Sequence, residues 1–512
     1  MTRIPGRDSI EQSRTSRIAA SVRRRVEIDA RALAAFRIAL GALLIVDLVL
    51  RSRNLVAFYT DQGVLPRAAL FSDYGDVYSL HAVWGEAWIQ AGLFLVAGAF
   101  GLALLVGYRT RVATIVSWLL LASLHARNPM VLNGGDVLFR MLLFWGMFLP
   151  LGKRWSLDAA RADAARSPVA SIATAALLLQ VVLLYVTNAA HKLGGVQWLN
   201  GEAIIYVFSL DQFTVLLGNV LAEYYGLLRV FTYVWITLVV LSPLLLVLTG
   251  RARAVLATAL AGMHLGMLAT MQLGLFPLIV VAGLLPFYPS PVWNSIENSA
   301  TRLGLTRWLD GVSERLQRQR VSVPPLPTRL GRRSWNTTAL AHARQYAVGA
   351  VALCFVVLVV VSNAQAIGVG EVPADAEPVL EVTQTEQHWR MFAPDPLSTD
   401  GWFVVPGNLT NGTTVDVFAD SRVDWDRPPS IDAEYPTARW RKYLRNVWSS
   451  NNRDHRSYFS HYLCGRWNRS HETDVESIGL YYMAQHSAPY NETEPIERHH
   501  LHDHDCGGGL AQ

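Results

Sequence analysis

The chain has 512 residues, of which 51% are hydrophobic and 17% charged, and its mean hydropathy is positive at +0.23. Soluble domains carry roughly 25% charged residues, so this composition excludes an ordinary soluble globular protein. The formal charge of +5 and the pI near 9.1 need a cause, and the placement of the basic residues supplies one: membrane topology, not nucleic-acid binding.

Residues 1–30 are polar with seven arginines, and no apolar core precedes the first long run, so no cleavable signal is expected and 1–30 reads as a cytoplasmic basic N-terminus. Apolar runs near bilayer length follow at 31–50, 84–107, 112–126, 137–151, 169–190, 226–249, 254–271, 273–288 and 346–365. They predict a mainly α, polytopic membrane protein with about nine transmembrane helices. Every second loop is basic: Arg23, Arg24 and Arg25, then Arg109 and Arg111, then Lys153 and Arg154, then Arg251 and Arg253. This alternation predicts a multi-pass cell-membrane protein with a cytoplasmic N-terminus.

A transmembrane domain is expected over 31–290, and a cytoplasmic amphipathic segment and linker over 291–345. That linker holds the basic stretch 292–320, read as a helix lying on the inner leaflet, and the breaker "VPPLPT". A last span at 346–365 then leads to a C-terminal extracytoplasmic α/β domain over 366–512. There "GWFVVPGNLTNGTTVDVF" predicts a hairpin turning at Asn411-Gly412, "TARWRKYLRNVW" and "RSYFSHYLCGRWNR" predict helices, and "SIGLYYMAQ" a strand. Cys464 and Cys506 share that domain and are expected to pair in an oxidising compartment, whereas Cys354 in the last span reads as a small buried hydrophobe. Sequons stand at Asn408, Asn411, Asn468 and Asn491. The tail "IERHHLHDHDC" reads as a low-complexity solvated terminus, and no metal is assigned to it.

Ionisable groups inside apolar spans cost at least about 2.5–3.5 kcal/mol unless they face a partner or a cavity, so they mark sites. Arg37 and Asp47 lie in the first span, His125 ends the third, Asp136 and Arg140 open the fourth, and His264 lies in the seventh. Asp136 and Arg140 are four apart on one helix face, which suits either a structural ion pair or a substrate contact. His191 and Lys192 end the fifth span. A lysine at a helix end often only anchors it in the headgroups. Here Tyr185, Asn188 and Lys192 recur at the spacing of one helical face, and Gly194-Gly195 breaks the helix before Trp198. An amine withdrawn from water at this point can accept a proton near neutral pH.

Four blocks, "YTDQGVLP" (59–66), "HARNPMVLNGGD" (125–136), "NAAHKLGGVQWLNGEA" (188–203) and "QHWRMFAPDP" (387–396), together resemble the HTTM family, membrane proteins related to vitamin K-dependent gamma-carboxylase. The resemblance runs from about residue 28 onward. It implies that Lys192 corresponds to the lysine that takes a proton from reduced vitamin K. The resulting anion reacts with O2, quinone epoxide forms, and the base so produced removes a glutamyl γ-proton so that CO2 adds. One departure limits this. Where the animal carboxylase has an Asn-His pair for carboxylation, this chain reads Asn133-Gly134-Gly135-Asp136, so the resemblance supports an epoxidase-like reaction more than protein glutamate carboxylation. Trp389, Met391 and Phe392 are read as packing residues and family marks.

Two function classes follow. In the first, a lipophilic reduced quinone, vitamin K-like, reaches the site from the membrane lipid, with O2 and CO2 as co-reactants. Lys192 and His191 are then catalytic, Tyr185, Asn188, Asn133, Asp136, Arg140 and Trp198 contact substrate, and a protein or peptide substrate meets the outer domain. In the second, the fold is a non-catalytic scaffold, receptor or immunity protein and Lys192 anchors a helix. Enclosure of the lysine favours the first, and headgroup exposure the second. A transporter is a weaker third, since no inverted repeat is visible.

Overall fold

The computed structural model describes residues 7–75, 77–161, 168–304, 337–449, 453–490 and 494–507. The first part is a helical bundle: α1 (Arg7–Val26), α2 (Ala30–Ser52), α3 (Ala87–Val106), α4 (Thr110–Arg127), α5 (Gly134–Gly146), α6 (Ile172–Leu193), α7 (Tyr225–Val240), α8 (Gly250–Thr270), α9 (Phe276–Leu284), α10 (Ser290–Arg302) and α11 (Thr337–Ala366). The basic stretch at 292–320 is helical as far as Arg302, and its remainder from 305, with "VPPLPT", lies outside the described residues.

All nine apolar runs are helical, but among the described residues five helices are long and apolar enough to cross a membrane: α2, α3, α6, α8 and the part of α11 from Ala347. Phe276–Phe287 with Ser290–Arg302, bent by 107°, makes a sixth if the pair is one span. The runs at 112–126, 137–151, 226–249 and 273–288 are shorter or less apolar. Helix α5 illustrates the shorter runs. Its 13 residues cover roughly 20 Å at 1.5 Å per residue, short of a hydrocarbon core of about 30 Å, and nearly every one is buried against other helices. Its apolar content faces protein, not lipid.

Helix α6 is the centre of the bundle. Ser171 and Thr174 form a capping box at its start, which satisfies two orphan amides, and 72% of its apolar window is buried, against 22% for α3 and α11. Helix α11 therefore keeps most of its surface for lipid, and Cys354 on it is exposed instead of buried. Arg37 in α2 is fully buried and donates at 2.9 Å to the carbonyls of Leu104 and Leu105. It thereby closes the carbonyl end of α3, where a cation suits the helix dipole.

The C-terminal part is an antiparallel sheet covered by α12 (Ala438–Ser449) and α13 (Asp454–Ser470). The long strand β4 (Val475–His486) is central. Strands β1 (Thr399–Val404) and β2 (Pro406–Leu409) pair along one edge of it, β3 (Thr414–Asp416) pairs outside β2, and β5 (Glu497–Asp505) pairs along the other edge. The β2–β3 hairpin turns at Asn411-Gly412, where Gly412 takes φ 82°, a region open to glycine at little cost. The histidine-rich tail is solvent-facing but not a loose terminus: it is the edge strand β5, with no residue fully buried, and Cys506 just beyond it is bonded to Cys464 of α13. Asn408, Asn411 and Asn468 are exposed, and Asn491 lies outside the described residues. One apolar core runs from Phe58, Tyr59, Leu124 and Val131 in the bundle into Trp440, Tyr443, Phe459 and Val475 of this sheet domain.

Candidate functional site

The four blocks of sequence meet in two pairs. In the first pair, 125–136 packs on 59–66: Asn128 Nδ2 donates to Phe58 O at 2.9 Å and Arg127 Nη1 to Leu65 O at 2.9 Å. His81, fully buried, sits beside them with Nδ1 2.7 Å from Ser123 Oγ. Burial first, then the charges of Arg127 and Arg51, push its imidazole pKa down to about 3. Below this lies a buried charge cluster. Asp136 accepts from Arg51 at 2.5 Å and from Arg439 of α12 at 3.0 Å, and Asp47 accepts from the same two arginines at 2.7 Å each. Burial and the charge of Arg51 oppose ionisation of Arg439, but Asp136 and Asp47 outweigh them and hold its pKa above the ordinary value.

Asp136 and Arg140 are therefore not an ion pair with each other. Arg140 instead donates to His125 Nδ1 at 2.9 Å and to Gln384 O at 2.8 Å. Asn133 caps α5, accepting from Gly135 N at 2.8 Å and Asp136 N at 3.3 Å. Its side-chain oxygen is committed to the helix start.

In the second pair, 387–396 straps across the end of α6. Asn188 Nδ2 donates to Trp389 O at 2.8 Å and Met391 O at 3.2 Å, so it fastens the strap instead of touching the lysine. Asp395 accepts from Gln197 N at 2.8 Å at the start of the short helix Val196–Leu199. Gly195 makes this approach feasible, because a Cβ there would stand 2.1 Å from Pro394 O. The two pairs share a wall: Gly134 lies against Met391 and Gly135 against Phe276.

Behind the strap is a chamber of about 30 Å³, room for one or two waters, lined by Tyr185, Lys192, Trp235, His264, Phe276 and Met391 among others. Lys192 is 2% exposed. Its Nζ lies 3.4 Å from Phe392 O and 3.4 Å from the centroid of the Trp198 ring. Among the described residues no carboxylate is within ion-pair distance of it. Tyr185 Oη and Trp235 Nε1 are buried without hydrogen-bond partners. His264 Nδ1 is 2.8 Å from Leu260 O; since a carbonyl only accepts, Nδ1 carries the proton and Nε2 is left as the acceptor. Lys192, Tyr185, Trp235 and His264 thus line one space together with Asn188 and apolar side chains. Buried polar atoms are nearly always satisfied, so the unbonded Tyr185 and Trp235 groups leave hydrogen-bonding capacity beside the lysine.

Of the site residues expected from sequence, Tyr185, Asn188 and Lys192 line the chamber and Trp198 covers the amine. His191 points elsewhere on α6, half-buried with Nε2 unbonded. Asn133, Asp136 and Arg140 lie beyond the Met391 and Phe276 wall. Sequence reasoning missed Trp235, Met391 and Phe392 as chamber residues and did not connect His264 to Lys192. The available signal was the 387–396 block, taken there as packing. On the bundle's outer surface a second, open groove of about 310 Å³ is lined by Leu193, Trp198, Leu199, Tyr233, Ile236, Thr237, Val240 and Leu241. It is apolar and half-exposed, as a surface facing lipid would be.

A family model described as the HTTM domain matches residues 26–293, just over half of the chain. No curated protein and no solved structure matches it.

Proposed function

Because the chain belongs to the HTTM domain family, a domain that occurs in gamma-carboxylase-like and related membrane proteins, we propose that it is a membrane enzyme acting on a lipophilic reduced quinone, with Lys192 as proton acceptor. The observation that carries this reading is the enclosed lysine: an amine 2% exposed, with no carboxylate partner among the described residues, in a chamber shared with the unbonded Tyr185 hydroxyl. A headgroup anchor, as the scaffold, receptor or immunity reading requires, needs the opposite exposure.

The donor set fits the polar head of a hydroquinone. Lys192 Nζ takes a proton from a substrate hydroxyl, breaking O–H and forming N–H. Tyr185 Oη and Trp235 Nε1 donate hydrogen bonds to the oxygen that becomes charged. Preorganised donors in a water-poor site are where such charge stabilisation is largest. The bound hydroquinone supplies the electrons with which O2 is reduced. The reading stops at quinone oxygenation, because Gly134 follows Asn133 and the Asn133 oxygen is occupied by helix capping. Fold membership alone does not fix chemistry, so the residues above carry the argument.

We also place the N-terminus in the cytoplasm and the C-terminal domain outside, supported by the basic alternation of loops and by the Cys464–Cys506 bond. The decisive experiment incubates purified protein with reduced benzoquinones and naphthoquinones under O2 and seeks the epoxide by mass spectrometry. Lys192→Arg keeps a charge but cannot deprotonate, so turnover should fall at least about 100-fold. Full turnover by Lys192→Arg, or none by the native protein on any quinone, returns the chain to the scaffold reading.

A further inference from the structure

The chamber beside Lys192, about 30 Å³, is too small for a quinone ring, while the groove of about 310 Å³ has room for one but is lined by no amine, imidazole or carboxylate. Trp198 lines the groove and lies against Lys192, which lines the chamber. One face of its ring lies 3.4 Å from Lys192 Nζ, and the same side chain lines the groove. Two further features bear on its mobility. Trp198 sits on a four-residue helix, Val196–Leu199, between Gly194-Gly195 and Gly201, the last at φ 77°. Its own polar tether is one hydrogen bond, from Nε1 to Phe392 O at 2.8 Å.

We infer that the Trp198 indole is a movable partition that decides whether a molecule in the lipid-side groove reaches the Lys192 amine. With the indole in place, the amine is sealed from the groove. When it swings off Phe392 O, groove and chamber join, and the ring of a hydroquinone takes the place of the indole over Nζ. The specificity consequence is that ring size is limited by the volume the indole vacates, while the tail stays among Leu199, Tyr233 and Val240. This inference rests on the quinone reading for its substrate, but the partition itself is testable without catalysis.

The experiment is reductive alkylation of the full-length protein in detergent, with a long-chain aldehyde and a borohydride reagent. The amine condenses with the aldehyde, releasing water, and hydride reduces the imine to a stable secondary amine read on the Lys192 peptide by mass spectrometry. Native protein should label slowly. Trp198→Ala should label at least about tenfold faster, which corresponds to about 1.4 kcal/mol less hindrance. Trp198→Phe, which keeps a ring but loses the N–H tether, should fall between them, and it decides the matter if the alanine variant does not fold. Val230→Ala, exposed on the same helix as the groove residues but lining neither space, should label like native protein. Unchanged labelling in both tryptophan variants overturns the partition, as does equal acceleration in Val230→Ala. Faster labelling without turnover of any hydroquinone keeps the partition and removes the enzyme reading; turnover with unchanged labelling does the reverse.

Discussion

Gly195 and Gly194 are adjacent, yet the structure assigns them opposite tolerances. A Cβ on Gly195 would lie 2.1 Å from Pro394 O and 2.7 Å from Asp395 Oδ1, whereas ordinary contact begins near 3.4 Å, so the strap must retreat by 3.4 − 2.1 = 1.3 Å. That retreat weakens the Asp395 cap on Gln197 N, at 2.8 Å, and the bond from Trp198 Nε1 to Phe392 O, also at 2.8 Å. A cap is worth about 1 kcal/mol and a buried hydrogen bond about 1 kcal/mol. With about 1 kcal/mol or more for overpacking, Gly195→Ala should cost about 3 kcal/mol. A Cβ on Gly194 meets only His191 O at 3.3 Å, and its φ of −83° suits alanine. Gly194→Ala should be neutral or stabilise by up to about 1 kcal/mol. Thermal unfolding of both variants in one detergent, followed by tryptophan fluorescence because Trp389 lies in the strap and Trp198 is bonded to it, measures the contrast. If Gly195→Ala unfolds within a degree or two of native protein, the close approach of strap and helix is wrong, and with it the enclosure of Lys192.

Three further outcomes are expected. His81 stays neutral when folded, its pKa pushed down to about 3, while the unfolded chain protonates near the ordinary value of about 6.5. Its stabilisation is therefore complete above that value and is lost as pH falls, by about 2 kcal/mol at about pH 5; His81→Asn should flatten the slope of melting temperature against pH over that window. Asp136→Asn leaves Arg51 and Arg439 buried with Asp47 as their remaining carboxylate and should cost about 3–5 kcal/mol. An unchanged melting temperature with lost turnover would instead mark Asp136 as a headgroup contact. A reporter fused after Gln512 should be active outside the cell, as the alternation of basic loops requires; cytoplasmic activity would mean an even number of crossings and refute it.

How much of this was legible depends on which interactions are local. The polar face of α6 could be read from the three-and-four spacing of Tyr185, Asn188 and Lys192, because helical periodicity is a property of the chain itself. That Asn188 fastens a strap 201 residues away, and that His264 and Trp235 face the same chamber, is tertiary and leaves no trace in spacing. The apolar runs marked helices and not crossings as such, because a helix inside a bundle and a helix in lipid are built from the same residues; five helices are long and apolar enough to span among the described residues. The tail misled for the opposite reason. Residues 497–505 lack apolar alternation, and they form a strand because the backbone of β4 offers a free edge and Cys506 is tied to Cys464.

The arrangement of the strap shows why the charge cluster and the chamber belong to one unit even though no side chain of one touches the lysine of the other. Arg140 holds Gln384 O from the cluster side, and Asn188 holds Trp389 O and Met391 O from the chamber side. Met391 itself lies between Gly134 and the chamber. Any change that frees Arg140, such as loss of its His125 partner, releases the start of the strap while Asn188 still grips the middle. Displacement would then concentrate at Met391, in the chamber wall. Arg140 thus reaches the wall of the lysine site through the backbone it holds, without touching the lysine itself.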